Sequence, residues 1–252
     1  MVHLSATSRR AVVLSTLAAL CAAVIAASVT VHAPKARGAL ASDSRAVANI
    51  TGATSSMWSC AGPLPVGDES ALSTLELANS SHSRVRAEYS FTTDVDASAT
   101  GWVTVTPGRV VVLRPPPVPR SGFGAANVVA LGRGLSVVEV VHGPAGPDAA
   151  ACARSTSTTS YLVAGDTRKN DNITLSLYDP GATPAVASVS VATSSGVQTP
   201  ADLQGIPVGA QQLATYSIAQ RVPFQSTLGI TVRTSAGSVV VGGLSSVTVG
   251  HT

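Results

Sequence analysis

Charge is scarce in this chain. Acidic and basic residues make up 12% of its 252 positions, about half the usual share. Only Lys35 and Lys169 accompany fourteen arginines, and Phe, Trp and Tyr together number nine. The formal charge of +3 is located almost wholly at one end, because Arg9, Arg10, Lys35 and Arg37 all precede residue 41. The remaining twelve bases face thirteen acids, leaving the rest of the chain at about −1. No basic field is available to attract phosphates, which excludes nucleic acid as a partner.

Chemistry is equally sparse. His82, His142 and His251 are the histidines beyond the N-terminal forty residues, and none has metal-type spacing to another ligand. There is no G-x-S-x-G elbow, and serine is too abundant for a Ser, His and Asp grouping to carry meaning. Asp94 and Asp96 flank Val95, a spacing that puts two carboxylates on one face of an extended chain, and they read as a solvated hairpin tip. Asp166 to Asn172 is the densest polar loop, but it lacks the glycine of a calcium loop and carries two cations. Asn79-Ser80-Ser81 and Asn172-Ile173-Thr174 match glycosylation sequons, relevant only in a eukaryotic secretory host. We therefore expect no catalytic, cofactor-binding or metal-binding residues, no cofactor, and no enzymatic activity.

What the chain has instead is Val, Ala, Ser and Thr in alternating order, and one long apolar run. Residues 11–31 are uncharged and follow Arg9-Arg10. Twenty-one residues suffice to cross the roughly 30 Å hydrocarbon layer as a helix, and the positive flank directs everything beyond Val31 outward. The reading is an uncleaved single-pass membrane anchor, with the remainder extracytoplasmic. A cleaved signal segment, releasing a secreted protein, is the alternative, although apolar regions of such segments are usually about 7 to 15 residues. Outside the cytoplasm a disulfide persists, so Cys60 and Cys152 are expected to pair. Closing that loop of 92 residues contributes about 4 kcal/mol in the chain-entropy account.

A unit of about one hundred residues occurs twice. Trp58 to Gly62 is answered by Tyr161 to Gly165, Leu75 to Asn79 by Leu175 to Asp179, Phe123 by Phe224, and Ser136-Val137-Val138 by Ser238-Val239-Val240. The period exceeds that of solenoid units, so each copy is a domain. In Val85 to Phe91 the odd positions are apolar and Arg86, Glu88 and Ser90 are not, the period of a strand with one wet face. Six or seven such strands per copy predict an all-β fold: two tandem immunoglobulin-like β-sandwich domains after an N-terminal transmembrane helix. The expected divisions are 1–33 flank and anchor, 34–56 linker, 57–150 first sandwich and 151–252 second. Phe123 with Phe224, and Trp58 with Tyr161, are expected at equivalent core positions. Pro115 to Pro119 reads as a rigid connector.

The opening Trp58-Ser59-Cys60-Ala61-Gly62 resembles the W-x-C-x-G of a family of actinobacterial, membrane-anchored or secreted proteins of unknown function. A second W-Y-F-x-G-G-x-T motif is kept at Tyr161, Gly165 and Thr167, with Ser160, Leu162 and Ala164 at its other positions. The resemblance implies a cell-envelope location and offers no catalytic residues. Anchor, duplication and missing chemistry together point to a non-enzymatic envelope protein that supports or binds a neighbouring component. A cell-wall glycan-binding module is the alternative reading.

Overall fold

The computed structural model describes residues 55–67, 72–95, 97–118, 120–143 and 146–247. The apolar run 11–31, most of the linker and Asp96 lie outside them. No helix among the described residues is long and apolar enough to cross a membrane, and their one helical element is the three-residue 3-10 turn Ala201–Leu203. The described residues are all-β, arranged in four antiparallel sheets.

The first lobe comprises β1 (Ser55–Val66), β2 (Leu72–Asn79), β3 (Val85–Thr93), β4 (Ser98–Val105), β5 (Val110–Leu113), β6 (Gly122–Leu131), β7 (Leu135–Gly143) and β8 (Gly146–Ala151). The second comprises β9 (Thr159–Ala164), β10 (Asp171–Tyr178), β11 (Ala185–Thr193), β12 (Gly196–Gln198), β13 (Ile206–Val208), β14 (Leu213–Ser217), β15 (Leu228–Ala236) and β16 (Val240–Val247). One sheet of the first lobe runs β1-β6-β3-β4 and one of the second β9-β15-β11-β12; the other sheets run β5-β2-β7 and β14-β10-β16. The two orders correspond strand for strand. β8, added beyond β7, has no counterpart.

Alternation accounts for both cores. On β3, Val85, Ala87 and Phe91 are buried while Arg86 is exposed, and on β11 Ala185, Ala187, Val189 and Val191 are buried. Leu75 and Leu77 of β2, and Leu175 and Leu177 of β10, close the opposite side of each core. Asn79 and Asp179 then end these paired strands identically. Each is buried, and its side-chain oxygen accepts a backbone N–H two residues on, Ser81 at 2.9 Å and Gly181 at 2.7 Å.

Two expected equivalences fail. Trp58 is 4% exposed but Tyr161 is 73% exposed, and Phe224 is 77% exposed while Phe123 faces the second lobe. The cause is a one-residue slip. Trp58 pairs with core residue Val128 of β6, whereas the residue opposite core Ile230 of β15 is Leu162, not Tyr161. A shift of one turns a side chain to the other face, so Tyr161 points to solvent. Phe224 lies outside the strands altogether. β8 was invisible for a different reason: its sequence GPDAAA is exposed at every position and offers no alternation, only backbone pairing at the sheet edge.

The lobes are joined by more than the chain. β10 is buried on both faces: Ile173, Leu175 and Leu177 enter its own core, while Thr174, Ser176 and Tyr178 face the first lobe. Ala61 and Ala125 of the first lobe share a buried cluster with Tyr178, Leu213 and Val240 of the second. Beside it, β1 breaks register between Cys60 and Leu64. Gly62 there has φ +71°, and the Gly62 carbonyl lies so close to Gly242 that a Cβ at 242 would overlap it.

Candidate functional site

Two constellations arise where the lobes meet. The first surrounds the disulfide that joins Cys60 and Cys152, whose Cα atoms are 4.4 Å apart. Glu139 stands beside it, a ligand-type atom of each of the three residues lying within 4.8 Å of the others. Glu139 follows Leu135 and Val137 along the core-facing side of β7, and its Oε2 accepts the Gly62 N–H at 3.0 Å. Burial pushes its carboxyl up to about 7 from an ordinary 4.5, against the smaller opposing effect of that hydrogen bond. A crevice of about 40 Å³ adjoins it, bounded also by Asp148, Gly243 and Leu244. That volume holds a water or two. With both sulfurs in the disulfide, the thiolates a metal would need are absent, so this is a packing junction with the Glu139 carboxyl buried in it and Asp148 at its border.

The second constellation is larger. Between the outward face of β3, β4 and β6 and the Gly209 to Gln212 turn lies a cleft of about 570 Å³, continuous in lining with a hollow of about 280 Å³. Ser90, Thr100, Tyr178 and Gln211 border both. Register explains the floor. Ser59, Asn127, Ser90 and Thr100 form one cross-strand row, and Met57, Val129, Glu88 and Trp102 form the next. Both rows are the outward phase of the alternation that buries Phe91 and Val128, the first polar and the second apolar except for Glu88, on strands about 4.8 Å apart.

The second lobe supplies the wall. Tyr178, almost wholly buried, meets Ser90 with its hydroxyl, and burial together with the Asp179 carboxylate pushes its pKa up to about 12. It therefore remains a neutral hydroxyl at any physiological pH. Gln211 sits at φ +59°, a left-handed conformation uncommon for a residue with a Cβ and concentrated at functional segments. Asp94 fixes the wall to the floor: its Oδ1 accepts the Phe123 N–H at 2.7 Å and its Oδ2 the Thr215 hydroxyl at 2.6 Å.

Asp94 thus departs from the solvated hairpin tip expected of it. The other candidates have structural employment or simple exposure. His82 and His142 are exposed, and His251 lies outside the described residues. In the 166–172 loop Arg168 pairs with Asp166 and holds its carboxyl below the usual range. Asn172 accepts the Ser217 hydroxyl at 2.7 Å, and Asn79 donates to Ser83 and Val105 carbonyls at 2.8 Å each. Both sequon asparagines are therefore committed within the fold. Pro115 to Val118 carry no strand pairing and link β5 in one sheet to β6 in the other.

Sequence reasoning missed Glu139 and the groove. Glu139 had a signal, since it shares the core phase of β7 with Leu135 and Val137, where a carboxylate is out of place. The groove had none, because its two sides are about one hundred residues apart in sequence.

No curated protein matches the chain. Residues 136–246, from β7 through nearly all of β16, match the model of a family of unknown function, DUF5719, a span that excludes the Trp58 to Gly62 opening.

Proposed function

We propose that this chain is a non-enzymatic, extracytoplasmic protein of the cell envelope, whose two immunoglobulin-like sandwich lobes form one rigid body that binds a neighbouring envelope component. In this reading residues 11–31 hold it at the membrane, and the Cys60–Cys152 bond suits an oxidising compartment. The resemblance of Trp58 to Gly62 to the opening of actinobacterial envelope proteins favours the same location.

The observation that carries the proposal is the groove at the lobe junction. A buried cluster, the Asp94 bridge and the Gly62–Gly242 contact hold its two sides in fixed relation, so a ligand meets a preformed surface and no ordering cost is added on binding. Asp94 spends both carboxylate oxygens on the fold, which favours binding over acid–base work. A photo-crosslinking amino acid at Thr100, in the floor, tests this in growing cells. Discrete adducts are expected at Thr100 and at Gln211 across the groove, and absent from Thr193 at the end of β11, which lines neither hollow. Loss of that positional contrast refutes the groove as the binding surface.

A further inference from the structure

We propose that the groove takes an uncharged saccharide chain; this deepens, and rests on, the reading of the groove as the binding surface. The argument is by elimination and by complementarity. No arginine, lysine or histidine is among the residues that line either hollow. An anionic ligand would be desolvated inside either hollow without a counter-charge, the one arginine on this face of β3, Arg86, lying instead over the Trp102 ring, which disfavours phosphates and uronic acids. The two carboxylates present are Asp94, consumed by Phe123 and Thr215, and Glu88.

An apolar ligand fits no better. Floor and wall present the hydroxyls of Ser90, Thr92, Ser98 and Thr100 and the amides of Asn127 and Gln211, and covering these with hydrocarbon leaves them unpartnered at a cost each. A peptide adding as a strand would pair along the free outer edge of β4, whereas the residues that line the groove stand on the face of β3, β4 and β6 and on the 210–213 turn, and offer side chains, not a backbone ladder. What remains is a ligand with many closely spaced hydroxyls and no charge. Ser and Thr hydroxyls both donate and accept, and an Asn or Gln amide does so with two different atoms, the combination that meets vicinal hydroxyls in either role.

Trp102 completes the match. It is half exposed, and it stands on the same face of β4 as Thr100, two residues or about 7 Å along the strand. The Arg86 guanidinium lies 4.3 Å from its ring centroid and holds the indole in place. A ring fixed at the end of a hydroxyl-lined floor offers the apolar C–H face of a sugar a surface to pack on.

The test is titration of the full chain with neutral galactan, arabinan, mannan and glucan oligosaccharides, using polygalacturonate as the anionic control, read by isothermal calorimetry and by tryptophan fluorescence. At least one neutral oligosaccharide should bind and polygalacturonate should not. Gln211→Ala and Trp102→Ala should each weaken binding about three- to tenfold, as removal of one hydrogen bond or one packing surface does. Thr100→Arg, exposed on the outward face, should abolish binding while leaving the melting temperature within a few degrees. Binding that none of the three variants alters overturns the assignment, as does tighter binding of polygalacturonate than of every neutral sugar. The Thr100 photo-crosslink separates the two readings: a sugar-bearing adduct supports the saccharide. A protein adduct without oligosaccharide binding overturns the saccharide and leaves the groove a binding surface, whereas neither signal overturns both.

Discussion

Replacing Glu139 by glutamine should change how stability depends on pH, in a direction the structure dictates. Glu139 occupies a core phase of β7 beside the disulfide and accepts the Gly62 N–H at 3.0 Å. Burial raises its carboxyl from 4.5 to about 7, so between those values the folded chain binds a proton that the unfolded chain has released. Stability from this group is fully present below pH 4.5 and is lost as pH rises through about 7. At about 1.4 kcal/mol per pH unit, the loss comes to about 3 kcal/mol. Glutamine keeps an oxygen for Gly62 and removes the titration. Urea unfolding followed by tryptophan fluorescence, with Trp58 the buried reporter, should give equal stabilities for Glu139→Gln and wild type near pH 4. At pH 8 the variant should be more stable by 2 to 3 kcal/mol, again about 1.4 kcal/mol per unit. Asp166 and Asp171 also titrate away from their ordinary values, but they persist in both proteins and cancel in the difference. Parallel stability curves across this range would show that Glu139 is not desolvated, and would refute the reasoning.

Three further outcomes follow from the same packing. Cys60→Ser with Cys152→Ser should lower stability by about 4 kcal/mol through release of the 92-residue loop, measured by differential scanning calorimetry, with the same loss in wild type under reductant. Gly242→Ala drives a Cβ into the Gly62 carbonyl, backbone against backbone; it should cost about 1 to 3 kcal/mol and quicken proteolysis of the connector near Ala153. Asp179→Asn should stabilise the chain by about 1 to 3 kcal/mol, since Asp179 Oδ2 is buried without a partner whereas Asn79, its counterpart, donates twice; chemical denaturation of the single variant decides it.

Much of the architecture was legible because it is local and periodic. Val85 to Phe91 announced a strand by alternation, and the recurrence of Leu75 to Asn79 at Leu175 to Asp179 located a strand and its terminal turn in both lobes. The failures are as physical as the successes. Trp58 and Tyr161 aligned by residue type, but β9 is displaced by one position against that alignment, and a period of two converts one position into the opposite face. The backbone pairing that makes β8 leaves no trace in side-chain pattern. The groove depends on how two lobes dock, and Asp94 could be recognised as a bridge only once Thr215 of the other lobe stood 2.6 Å away.

The Cys60–Cys152 bond also decides how the chain transmits force. A pull applied between the residues before β1 and the second lobe enters at β1, reaches Cys60, crosses the sulfurs to Cys152 and continues into β9. The 92 residues spanned by the bond, about 300 Å of extended backbone at 3.3 to 3.6 Å per residue, carry none of that tension. Only the 55–59 stretch of β1 lies in the loaded path; the rest of the first lobe, including β3, β4 and β6 of the groove floor, is mechanically bypassed, and it cannot be drawn out into extended chain until the sulfurs are reduced.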